Sequence, residues 1–168
     1  MNLLVVLAYI ILLYFFLIFF VSRFFIPHLG FRKDKLPNKI PKSMENEIRK
    51  LKHISHSKHE LLTKTYDFLS NRYYGARMKT ITCVGYLFRD VDWTWEHPGF
   101  LPCTQHNFML RIFLIKSGFF MEKDIKVRHA FYEFDIHQYP QVRLDGKWVD
   151  VDLWGHFLGK EIGQHAGL

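Results

Sequence analysis

The chain has 168 residues and a net charge of +7, enough for one domain with appendages and too short for two full ones. Two cysteines cannot build a disulfide framework. Between Arg23 and Lys58 there are ten Lys/Arg and three acids, while residues 59–168 carry thirteen of each sign. The whole excess therefore sits near one end, which excludes the basic face of a nucleic-acid-binding domain.

From Leu3 to Val21 the sequence LLVVLAYIILLYFFLIFFV has no charge, Pro or Gly. As a helix it is long enough for a hydrocarbon core about 30 Å thick, and it lacks the basic start and small-residue cleavage site of a signal peptide. It predicts a single membrane anchor, residues 1–23. The basic stretch behind it suits the cytoplasmic side and anionic lipid, so the soluble part is expected in the cytosol with its cysteines as thiols.

Residues 24–44 hold three prolines among alternating basic and apolar residues, the pattern of an irregular linker lying along the bilayer. Residues 24–58 are read as this juxtamembrane linker and the start of a helix, and 59–168 as the folded domain. Helical character runs from Glu45 to Leu69, with Ser43 as a cap, and continues through KTYDFLSNRYYG to a stop at Gly75. His53, His56 and His59 recur every third residue, but that step drifts round a helix and no carboxylate or cysteine cluster joins them. No metal or cofactor is expected.

KTITCVGYLF (79–88) reads as a buried strand holding Cys83, and RDVDWTWEHPGF (89–100) as a loop. Trp93 and Trp95 are unusual in a loop; they either anchor it to the core or line a cleft. PCTQHNFMLRIFLIKSGFF (102–120) is a helix begun by Pro102 and ended by Ser117-Gly118. Cys103 then stands in its first turn, where free N–H groups and the helix dipole favour a thiolate. A buried structural cysteine is the alternative.

Residues 124–136, HQYPQVRL and KWVDVDLW read as three strands. Asp145-Gly146 is a favoured two-residue turn, so Leu144 pairs with Lys147 and paired residue numbers sum to 291. One face then holds His137, Tyr139, Gln141, Arg143, Trp148, Asp150, Asp152 and Trp154; the other holds Pro140, Val142, Leu144, Lys147, Val149, Val151 and Leu153. His137 and Asp152 become diagonal neighbours on the polar face. A carboxylate that orients an imidazole makes it a base for a thiol.

This order of Cys103 opening an apolar helix, His137 followed by Tyr139, and a DGKW hairpin leading to Asp152 resembles the transglutaminase-like superfamily of papain-related thiol enzymes. The resemblance spans residues 59–155, with KTYDFLSNRYYG similar to the family's preceding helix. Leu101 and Gln138 stand where the family often has Gly and Ala. The resemblance implies an α+β domain with an antiparallel sheet and a Cys-bearing helix. It further implies a Cys103–His137–Asp152 triad acting on protein or peptide amides, by hydrolysis or transamidation. The Cys103 N–H is one expected oxyanion donor; the second is unassigned, with Trp93 and Trp95 as candidates. His129, opening HAFYEF, is a rival for the histidine, and a catalytically inactive, membrane-tethered binding domain is the rival function.

Overall fold

The computed structural model describes residues 2–17, 33–133 and 135–168. Helix α1 (Leu3–Phe16) begins at Asn2, whose side chain accepts from the Leu4 N–H, and it buries none of its residues. Its fourteen residues rise roughly 21 Å. Among the described residues no helix is long and apolar enough to cross a membrane. The last part of the apolar run, 18–21, and linker residues 24–32 lie outside the described residues.

From residue 33 the linker is laid on the domain instead of extending from it. Leu36 and Ile40 pack against the core. Lys33 donates to the carbonyls of Glu122 and Ile125, and the carbonyls of Asp34 and Asn38 accept from Arg111 and Lys116. Helix α2 (Lys42–His53) follows and buries Met44, Ile48 and Leu51, spaced to fall on one face. The packed unit thus starts well before residue 59.

The helix expected over 45–69 is two helices. Ile54 to Ser57 break it, because Ser57 caps the next helix, α3 (Lys58–Arg72), by accepting from the Glu60 N–H at 3.1 Å. Ser43 is not a cap either: it lies inside α2, and its hydroxyl accepts from the Trp95 indole N–H. Helix α3 stops at Arg72, short of Gly75, and Tyr73–Tyr74 (β1) pairs in parallel with Gly99–Phe100 (β2).

Two further expectations fail in the next segment. Residues 79–88 are no strand but the end of helix α4 (Arg77–Thr82) and a 3-10 turn, Val84–Phe88. The β-branched Thr80 and Thr82 fit the helix because their hydroxyls donate back to the carbonyls four residues earlier. Nor is 89–100 all loop. Asp90 caps a short helix, α5 (Val91–Glu96), by accepting from the Trp93 N–H at 2.8 Å.

Helix α6 (Cys103–Lys116) is the central element, buried from Cys103 through Leu114. It ends as expected at Ser117, with Gly118 at φ +83°. Each fully buried Leu110, Ile112, Phe113 or Leu114 stabilises the fold by about 1.5–3 kcal/mol. The polar residues of this helix tie it to its surroundings. Gln105 donates to the Tyr86 carbonyl, Asn107 to that of Gln138, and Arg111 to Asp34 and Glu122.

Against α6 packs a three-stranded antiparallel sheet of β3 (Ile125–Tyr132), β4 (Asp135–Leu144) and β5 (Lys147–Asp150), in that order. Asp145 (φ +48°) and Gly146 (φ +83°) make the tight turn, and Gln141, Val142, Arg143 and Leu144 pair with Asp150, Val149, Trp148 and Lys147. That is the expected register. The strand read over 124–136 turns sooner, at Glu133 (φ +54°), so that Tyr132 pairs with Asp135. The architecture is a mixed α+β fold with a small antiparallel sheet.

Candidate active site

Strand β5 ends at Asp150, and its ladder bonding fades one step later with the Val151 N–H on the Pro140 carbonyl. Val142, Leu144, Val151 and Leu153 are buried as one apolar set, as the alternation predicts. Beyond Val151 the chain leaves the strand. Asp152 therefore meets His137 from a turn and not as a ladder neighbour. The His137 Nε2–H donates to Asp152 Oδ2 at 2.7 Å.

The turn is built around this carboxylate. Asp152 Oδ1 accepts from the Gly155 N–H and Oδ2 also from the Ala166 N–H, both at 2.9 Å. Gly155 has no alternative: a Cβ there would lie 2.5 Å from Asp152 Oδ2. Asp152 is 0 % exposed and His137 3 %, so both ionisable groups depend on these bonds and not on water.

Cys103, 8 % exposed, opens α6 beside the pair and packs with Trp154 and Ala166. Its side chain is close enough to the His137 ring to act on its charge. With Nε2 held by Asp152, Nδ1 is the nitrogen left for the thiol. Burial alone would push the His137 pKa down. The hydrogen bond to Asp152, together with the neighbouring Cys103 and Asp152 side chains, outweighs it, and the imidazole is pushed up to about 10. Burial works against Asp152 too, yet the His137 bond and charge and the Ala166 and Gly155 N–H groups hold its carboxyl below the usual range.

Cys103, His137 and Asp152 are thus brought together. His129 is not part of the group: it pairs with Gln138 while His137 pairs with Ala130, so the two histidines point to opposite faces of the sheet. The tryptophans named from the sequence have other contacts. Trp95 is buried against Phe68 and Phe113, and its N–H is used by Ser43. Trp93 stacks on His97 at 4.3 Å and meets Tyr86 and Arg89.

Trp154 instead lies against the His137 ring, with centroids 4.9 Å apart, and is buried with its indole N–H unpartnered. The alternation placed it on the right face, but no local signal gave it a role. His106, one turn along α6 from Cys103, is fully buried with neither ring nitrogen hydrogen-bonded. Burial pushes its pKa down to about 4, so it is neutral beside the charged pair. His53, His56 and His59 are divided between the end of α2, the break and α3. Among the described residues no three His, Cys, Asp or Glu are grouped to hold a metal ion.

Comparison with protein-family models, with curated proteins and with solved structures finds no match to this chain.

Proposed function

We propose that this chain is a membrane-anchored, transglutaminase-like thiol enzyme that performs acyl transfer at amide bonds. The observation that carries the reading is the 2.7 Å bond between His137 and Asp152, buried beside a cysteine at the first residue of a helix. A buried carboxylate that fixes one imidazole nitrogen leaves the other to take the thiol proton.

In this reaction the Cys103 proton already rests on His137 Nδ1 before attack, as the raised pKa of the imidazole requires, and the sulfur bonds to the substrate carbonyl carbon. The resulting oxyanion takes hydrogen bonds from the Cys103 backbone N–H and from the unpartnered Trp154 indole N–H. His137 returns the proton to the leaving amine as the C–N bond breaks, and a thioester remains. Water, deprotonated by His137, then releases the acid in hydrolysis. An amine in its place gives transamidation. Protein or peptide amides are the substrate class that this chemistry fits, and no cofactor enters any step.

The apolar run from Leu3 to Val21 acts as the anchor, and the basic residues behind it hold the domain on the cytoplasmic side at anionic lipid. The exposed apolar face of α1, which buries nothing against the rest of the chain, supports this.

The small exposure of Cys103 favours a second reading, a tethered binding domain without activity. A cysteine-directed electrophile separates them. The enzyme reading expects labelling that is abolished in Cys103→Ala and slowed in Asp152→Asn. Cys103 that stays unlabelled in the folded protein at every pH supports the binding domain.

A further inference from the structure

The last residues of the chain lie over the polar face of the hairpin and hold the candidate site from behind. The Gly163 N–H donates to the Asp150 carbonyl at 2.8 Å. His165 Nδ1–H then donates to the Asp150 side chain at 2.8 Å, and its ring stacks flat on Tyr139, 4.2 Å away at an interplanar angle of 5°. Tyr139 in turn lies beside His137 on the same face, nearly parallel at 18°. The next residue, Ala166, gives its N–H to Asp152 Oδ2, the oxygen that accepts from His137. Leu168 closes the segment with two backbone bonds to Phe131 of β3. Gly167 (φ +98°) runs so close to that strand that a Cβ would lie 2.5 Å from the Phe131 carbonyl oxygen.

One dipeptide therefore grips both Asp150 and Asp152, His165 through its side chain and Ala166 through its backbone. Asp150 is fixed from its other oxygen by Gln141, which accepts from Arg128. The groups facing His165 are thus Asp150 and Tyr139, backed by Gln141 and Arg128.

We propose that His165 is a positioning residue for the Cys103–His137–Asp152 group. By clamping Asp150 and stacking on Tyr139 it fixes where the Ala166 N–H and the His137 ring meet Asp152. Preorganised second-layer contacts of this kind decide whether a site is held to the geometry its chemistry needs. Without them Asp152 loses one of its donors and the imidazolium loses part of its orientation. The inference rests on the thiol-enzyme reading of that group.

The test is the rate of Cys103 alkylation by iodoacetamide against pH, in the full chain held in detergent micelles. Wild type and His165→Ala are compared, with His165→Gln as the variant that keeps a donor for Asp150. The inference expects the acid limb of the His165→Ala profile to move up by about one pH unit. That is a reaction up to about tenfold slower on the acid limb itself, with the rate at pH 9 unchanged and His165→Gln closer to wild type. Profiles of His165→Ala and wild type that superimpose overturn the proposal, as does one slowed equally at all pH values. If His165→Ala does not keep the wild-type near-UV circular dichroism, Asp150→Asn is measured in its place against the same outcomes. A wild-type profile with no Cys103-dependent reaction below pH 8 would instead remove the thiol-enzyme reading itself.

Discussion

Two buried histidines with opposite protonation flank the candidate nucleophile, His106 one turn along α6 and His137 on β4. The folded-state pKa of His137 is raised from 6.5 to about 10. Its contribution to stability is fully present below pH 6.5 and is lost as the pH rises through about 10. Asp152 is lowered, so its share is present in neutral solution and is lost on acidification. His106 runs the other way. Lowered from 6.5 to about 4 by burial, it favours the unfolded chain progressively below pH 6.5, by about 3 kcal/mol once the pH is under 4. Stability should therefore peak near pH 6.5. Urea unfolding at a series of pH values checks this: His106→Leu should flatten the acid side and Asp152→Asn the alkaline side. An acid side as steep in His106→Leu as in wild type would contradict the account of His106.

At the level of elements, the turn after β5 is what converts a hairpin into a site. Gly155→Ala puts a methyl group into the Asp152 carboxylate. It should cost about 1–3 kcal/mol of stability, the usual effect of overpacking, and slow Cys103 labelling; thermal melts and the alkylation rate measure both. The hairpin itself was legible because Asp145-Gly146 dictates one register and a period of two then divides the faces. Helix α6 was legible from Pro102 at its start and Ser117-Gly118 at its end.

What stayed hidden has local causes of a different kind. The strand assigned to 79–88 rested on β-branched residues, whose threonines are equally content bonding back within a helix. The turn at Glu133 carries no Gly or Asn to announce it. Trp93 and Trp95 were marked by residue type, whereas Trp154 and His165 take their places through contacts that no short window contains. His165 reaches Asp150 across fifteen positions.

Over the whole molecule, the chain from residue 33 folds as a packed unit that α1 does not help to bury. A chain lacking residues 1–32 should keep its melting temperature within about a degree or two and lose its association with lipid vesicles. Differential scanning calorimetry and flotation check the two halves of that expectation. Within the unit, α6 carries Cys103 to the sheet, the hairpin carries His137, and the turn and tail carry Asp152, so three separate segments converge on one buried group. The most direct test of that convergence is the pH dependence of Cys103 alkylation in wild type and in Asp152→Asn. The account predicts reaction in wild type that persists at pH 6 and a loss of that acid-side reactivity in the variant; identical profiles in the two would contradict it.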